Sequence, residues 1–389
     1  TPIGGQSEMH HRLRAHLALA AGETELLHAS LEHLSDNEEV ATFRTRSAKA
    51  TGEFSIDTEG LDAETSVGDA IILASAETRR SKKRQQVKDL DPTHPSAKLL
   101  VAEMAQEVGE RDKAEALYRE LAAGDITSWT TYEAHQKLWG QSEDAAEKAG
   151  HSASLARAAW ASGDSANALA NLTQALTDAR DNQDAPSAYN LAKEFLDASE
   201  EANANIQQQI WASFSRAALQ DGRADEALAV TQQWGATCST TRQETQGEGE
   251  ETQEVEVTEV DQSCLSSASW PWTIAAFQLG LGDEVEAAHA GLDNPPNAFA
   301  GLTALLKGNL SEAEGLLSDT SGPYEIPLLL AKARAQSGQD KDAQATLRKA
   351  TQAADASGFT PDRILTRLHL ANQQAEAEDT QALSRTLGE

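Results

Sequence analysis

A spaced triplet constrains this chain more than any other feature: a small residue, Gly seven positions later, and Ala five positions beyond that. It occurs at Ala102/Gly109/Ala114, Ala156/Gly163/Ala168, Ser215/Gly222/Ala227, Ala275/Gly282/Ala287, Gly301/Gly308/Ala313 and Ala331/Gly338/Ala343. A frame that recurs along a chain marks stacked structural repeats. Alanine is abundant, so the Gly/Ala pair alone is weak: seven occur where composition predicts roughly four. Requiring a small residue before the Gly lowers the expectation to about 1.4, and six pairs survive. The seventh, Gly140/Ala145, is preceded by Glu133 and drops out.

The spacing has a physical reason. Two antiparallel helices joined by a tight turn need a residue that tolerates positive φ where the first helix ends. Small residues are needed where the two axes approach most closely, which the outer positions of the triplet supply. Amphipathic apolar runs flank the glycines, as in Leu99 to Leu121, Leu155 to Leu176 and Leu328 to Leu347.

With these residues the chain resembles the tetratricopeptide repeat family, which carries a small residue, a turn Gly and an Ala in this order, often with Pro at the repeat end, as at Leu90-Asp91-Pro92. The resemblance covers roughly residues 96–350. The family's bulky aromatic positions are mostly absent, and the turns at Gly282, Gly308 and Gly338 fall 26 and 30 residues apart, against the family's usual 34. It implies an all-α fold: a right-handed superhelix of stacked antiparallel helix pairs, with protein binding as its function and no cofactor. The expected organisation is degenerate repeats or a cap over residues 1–95, the array over 96–350 with an insert at 235–268, and capping helices over 351–389.

The amino-terminal region fits the frame less well. His11 to Leu34 reads as a helix pair turning at Gly22, with Leu27 in place of the Ala. Glu38 to Glu59 reads either as a pair turning near Gly52 or as irregular chain, and Ala70 to Leu90 as one long helix ended by Pro92. A terminal repeat is expected to present a polar outer face.

The helical pattern stops between Trp234 and Trp270, and the two cysteines, Cys238 and Cys264, bracket the interruption. Between them lie the acids Glu244, Glu248, Glu250, Glu251, Glu254, Glu256, Glu259 and Asp261, with Arg242 as the one base. Alternation at Glu254-Val255-Glu256-Val257, with Gly247 and Gly249 before it, indicates a β-hairpin or loop closed by a disulfide. Such a bond stabilises by roughly 3.5 kcal/mol in the chain-entropy model and belongs to an oxidising compartment: periplasm, cell surface or outside. Trp270-Pro271-Trp272 reads as the restart of the helices, with Pro in a first turn.

The chain carries 62 acids against 32 bases, a formal charge of −30. Such a surface repels phosphate backbones, so nucleic acid is a poor partner. An acidic, saline-habitat proteome explains the charge as well as an acid-dependent function does. No apolar run reaches the length of a membrane span. The start at Thr1 is read as a processed or bounded terminus with a signal segment removed.

Arg79, Arg80, Lys82, Lys83 and Arg84 form the densest basic cluster and are the candidate partner-binding residues, weighed against an ordinary solvated helix face. His10, His11, His16, His28 and His33 lack the i,i+4 spacing that a helical metal site needs, so no metal is expected. Trp129, Trp139, Trp270 and Trp272 are expected to fill gaps between helices. Phosphate loops, nucleophile elbows and His-Glu-x-x-His are missing. The reading is a noncatalytic, extracytoplasmic scaffold for a protein or peptide. An accessory subunit of a larger envelope machine and a helical-array polysaccharide-active enzyme stay open as alternatives. Titration of the denatured, unreduced protein is expected to find no free thiol, and two after reduction; two thiols before reduction would refute the disulfide.

Overall fold

The computed structural model describes residues 8–51, 58–246, 253–317, 325–336 and 338–357, with Thr366, Arg367, Leu370, Ala371, Gln374, Ala382 and Thr386 beyond them. The expected turns at Gly52, Gly247 and Gly249 lie outside the described residues, as does most of the expected carboxy-terminal cap. Contacts divide the chain into two units, Thr1–Ala168 and Leu169–Glu389. Both are built from antiparallel helix pairs, so the all-α expectation holds.

The first unit contains α1 (Glu8–Ala21), α2 (Thr24–Leu31), α3 (Asn37–Thr51), α4 (Val67–Ala76), α5 (Arg80–Asp89), α6 (Pro95–Val108), α7 (Arg111–Ala122), α8 (Trp129–Gln141), α9 (Ala145–Ala161) and the start of α10 (Ser165–Asp181). Helix α6 is its centre: Leu99, Leu100, Val101, Ala102, Met104 and Ala105 are fully enclosed. The second unit continues with α11 (Ala185–Ala198), α12 (Ala204–Gln220), α13 (Ala224–Thr237), β1 (Ser239–Gln246), β2 (Gln253–Val260), α14 (Gln262–Gln278), α15 (Gly282–His289), α16 (Asn297–Leu306), α17 (Leu310–Leu317), α18 (Glu325–Gln336) and α19 (Asp340–Ser357).

One backbone device closes the pairs. At Gly109, Gly163, Gly222, Gly308 and Gly338 φ lies between 74° and 86°, the left-handed region that a Cβ disfavours. The next residue's N–H reaches back to a carbonyl five residues earlier, as in Glu110 to Ala105 at 2.8 Å and Asp164 to Ala159 at 2.9 Å. These bonds satisfy carbonyls that a helix end would otherwise strand. On either side the small residues are enclosed: Ala102, Ala156, Ala168, Ser215, Ala227, Ala313, Ala331 and Ala343 are all 0% exposed, and Ala114 is 1%. At Gly301 an added Cβ would lie 2.5 Å from the Leu317 side chain, so α16 and α17 leave no room even for Ala.

The same turn occurs at Gly22, where Glu23 N–H bonds the Ala18 carbonyl, and at Gln183, a non-glycine residue with φ of 60°. The expected Gly22 pair is therefore present.

One frame position is corrected. The left-handed residue before α15 is Gly280, whereas Gly282 is the first residue of that helix. Leu281 N–H bonds the Ala276 carbonyl at 2.9 Å, and the enclosed positions are Thr273 and Val285, with Ala287 exposed. The match of Gly282 and Ala287 to the frame is a coincidence of composition. Gly280, Gly308 and Gly338 then fall 28 and 30 residues apart.

Two further expectations are corrected. Ala70 to Leu90 is two helices, α4 and α5, broken at Glu77, whose backbone is extended (ψ 120°). The Glu77 carboxylate accepts the Arg79 N–H at 2.9 Å and the Arg79 Nε–H at 3.1 Å, which holds the corner. Pro271 does not restart the helices but lies inside α14, which begins at Gln262. That start is set by Asp261, whose carboxylate accepts the N–H groups of Ser263 and Cys264 at 3.0 Å.

The interruption is a β-hairpin in place of the α13–α14 turn. Its strands pair antiparallel from Ser239↔Val260 to Gln246↔Gln253. The Cys238–Cys264 disulfide spans the base with Cα atoms 5.4 Å apart, and the Asp261 N–H bonds the Cys238 carbonyl at 2.8 Å. Both cysteines are buried with Trp211, Trp234, Leu265 and Ala268.

The corrected frame separates two neighbouring glycines. Gly280→Ala is expected to cost about 1 kcal/mol or more from the left-handed penalty, whereas Gly282→Ala, with φ in the ordinary range and its nearest neighbour at 3.8 Å, is expected to be neutral or slightly stabilising. Urea unfolding of the two variants checks this; equal effects would refute the reassignment.

Candidate docking groove

Helix α1 sets one wall of an exposed apolar surface. Its inner face carries Ala15 and Ala18, enclosed against Leu27, Leu31 and Phe43. Its outer face carries Met9, Leu13 and Leu17, which are 67%, 59% and 62% exposed. Their i, i+4, i+8 spacing lines them up on one side of the helix. The expected polar outer face of the terminal repeat is thus not found; three large apolar side chains stand there instead.

Beside the stripe lies a cavity of about 270 Å³, lined by His16 and Leu19 from α1, Phe43 and Arg46 from α3, and Trp129 from α8. The expectation that Trp129 fills a gap between helices is corrected: at 41% exposed it forms the cavity rim. Its placement follows from helix phase, because Thr130, Thr131 and Ala134 take the buried side of α8. A second cavity of about 230 Å³ also uses Trp129, with Tyr132, Asp164 and Asn167 among its walls. Trp270, by contrast, packs as expected, its ring 5.4 Å from Phe299. Trp272 is half-buried and its indole N–H donates to Glu284 at 3.3 Å.

The polar groups of the first cavity are unequally served. Glu39 is 3% exposed and accepts the Arg12 Nε–H at 2.7 and 3.0 Å. Burial lowers the pKa of His16, opposed by Glu39 and reinforced by Arg12 and Arg46, so the imidazole is neutral at pH 7. The Arg46 guanidinium sits 5.0 Å over the Trp129 ring, within cation–π range. Its nearest carboxylate, Glu103, is 3.8 Å away, beyond hydrogen-bond distance. Arg46 Nε and Nη2 are buried without a hydrogen-bond partner among the described residues.

The basic cluster on and before α5 is turned to internal use. Arg79 and Lys82 pair with Glu77 at 3.1 and 3.2 Å, Lys83 with Glu107 at 3.2 Å, and Arg84 with Glu110. The hydrogen bonds from Arg79, then Lys82, bring the Glu77 pKa down to about 2. Arg80 is exposed. Among the histidines of the amino-terminal region, the His11 and His33 rings lie 4.1 Å apart at a tilt of 35°, but no group of three His, Cys, Asp or Glu side chains poised to hold a metal occurs among the described residues.

A histidine pair went unseen in the sequence because its members lie 16 residues apart on different helices. His135 of α8 and His151 of α9 face each other with Nδ1 atoms 3.0 Å apart. Burial, then the His151 charge, lowers the His135 pKa to about 4, despite a hydrogen bond to the Ala122 carbonyl.

No family model and no curated protein matches the chain. Two solved structures are similar along nearly all of it. The crystal structure of the APC/C hetero-tetramer Cut9-Hcn1 is 14% identical over 99% of this chain and 97% of that one, with a TM-score of 0.26. A circular tandem repeat protein with novel repeat topology and enhanced subunit contact surfaces is 13% identical over 98% and 80%, with a TM-score of 0.13. At those TM-scores neither superposition bears on fold or function. The helix-pair architecture is shown by this chain's own helices and turns.

The histidine pair makes stability pH-dependent. The folded state keeps His135 neutral down to about pH 4, while the unfolded chain takes up a proton near the ordinary 6.5. Its contribution is therefore full above about pH 6.5 and declines as pH falls toward 4. Between pH 7 and pH 5 the loss is on the order of 2 kcal/mol. In urea unfolding, His135→Gln is expected to reduce the pH 7 to pH 5 decline by about that amount; parallel curves would refute it.

Proposed function

We propose that this protein is a noncatalytic, extracytoplasmic scaffold that holds a protein partner on the α1–α3–α8 face of its first unit. The observation that carries the reading is the run of Met9, Leu13 and Leu17, exposed at helical spacing beside a 270 Å³ cavity rimmed by Trp129. Fully burying a side chain of this size is worth about 1.5–3 kcal/mol. Large apolar side chains grouped on one exposed surface mark an interaction site, whereas scattered ones do not. Arg79, Lys82, Lys83 and Arg84 already have acids of the same unit as partners, which leaves the α1 face as the better docking surface.

The extracytoplasmic placement rests on the Cys238–Cys264 bond, since such bonds persist in oxidising compartments. No helix among the described residues is long and apolar enough to cross a membrane. The hairpin offers the second contact surface that a subunit of a larger envelope assembly would use, with an acidic segment unsuited to nucleic acid.

Photo-crosslinking tests the scaffold in its native cells. A benzophenone amino acid in place of Leu13 is expected to yield one dominant protein adduct, absent when the label replaces exposed Glu32. No adduct at position 13 would overturn the reading.

A further inference from the structure

We infer that the α1 face docks an amphipathic helix of a partner protein whose flanks are acidic. This rests on the protein-docking reading above and names the partner's chemistry.

A helix, not an extended segment, suits the surface. Met9, Leu13 and Leu17 form a ridge about 12 Å long on a 14-residue helix. They offer no hydrogen bonds. An extended strand laid on them would bury backbone N–H and C=O groups without partners, whereas a helix satisfies its own. Ridge-into-groove packing then places a partner's apolar i, i+3/i+4 row along the stripe, and one anchor can enter the cavity past His16.

The sign of the flanks follows from the local charge. Helix α1 carries Arg12 and Arg14 against one acid, Glu8, in a chain whose net charge is −30. Arg12 is engaged by Glu39, and Glu8 by the Ser35 hydroxyl at 2.9 Å, which leaves Arg14 as the cation of the outer half. At the far end Arg46, whose ion-pair partner Glu103 is 3.8 Å away, retains two buried nitrogens without hydrogen-bond partners. Carboxylates flanking the docked helix would meet Arg14 and Arg46. A second copy of this chain is a poor occupant: α1 against α1 would oppose like-charged arginines.

Two labelled 18-residue helices test this, identical in their leucine row and carrying either Glu or Lys at the flanking positions. They are titrated by fluorescence anisotropy against the whole protein at 0.15 M salt, where the Debye length is about 8 Å. The net charge of the protein favours the Lys peptide, so preference for the Glu peptide reports the local site. The Glu peptide is expected to bind at least tenfold more tightly. Leu13→Ser with Leu17→Ser, both at exposed positions, is expected to weaken it more than tenfold at unchanged Tm, and Arg14→Glu to abolish the preference. Equal or reversed affinities, or binding indifferent to the serine pair, would overturn the inference. A protein adduct at position 13 together with either result would leave the scaffold reading standing. Sedimentation velocity provides the last arm: a dimer abolished by the serine pair would assign the stripe to a second copy and overturn it too.

Discussion

The fold depends on a left-handed residue followed by an amide that reaches back five residues. That turn reverses the chain and satisfies two carbonyls of the ending helix with no side chain involved. It leaves the sides of the two helices free to approach, and Ala, Ser or Gly at the contact lets them approach closely. At Gly301 an added Cβ would lie 2.5 Å from the Leu317 side chain. Gln183 shows that the geometry, not the glycine, is the requirement: its φ of 60° supports the same bond, from Asp184 N–H to the Ala179 carbonyl at 2.9 Å.

Between α13 and α14 the pair is closed differently. A two-stranded hairpin of eight-residue strands has little core of its own and is marginal in water. The disulfide, the Asp261 cap and the buried Trp211 and Trp234 hold its base. Pro271 lies nine residues into α14, so the helix is already nucleated when the missing N–H is reached. This explains why a proline that looks like a helix start is not one.

The candidate groove was hardly legible in the sequence. Periodicity places Met9, Leu13 and Leu17 on one face of a helix and does not report which way that face points. The enclosed face of α1 is the one with Ala15 and Ala18, where close packing favours small residues. Trp129 and Arg46 lie 83 positions apart and meet only because α3 and α8 both pack against α6 in the same unit. Helix-to-helix ion pairs such as Lys83 with Glu107 likewise turned a conspicuous basic run into internal structure.

What the amino-acid sequence determined by itself is what acts over short range: the helix pairs, the turn at each correctly placed glycine, and the hairpin between Cys238 and Cys264. A second local mark would have settled Gly280 over Gly282, namely an Ala four residues before the turn, present at Ala18, Ala105, Ala159, Ala218, Ala276 and Ala304. Only the tertiary structure decided which face of α1 is outward, which cations are spent on neighbouring helices, and that Trp129 stands at a rim. Those outcomes depend on the rotation of one helix against another, which small residues permit but do not specify.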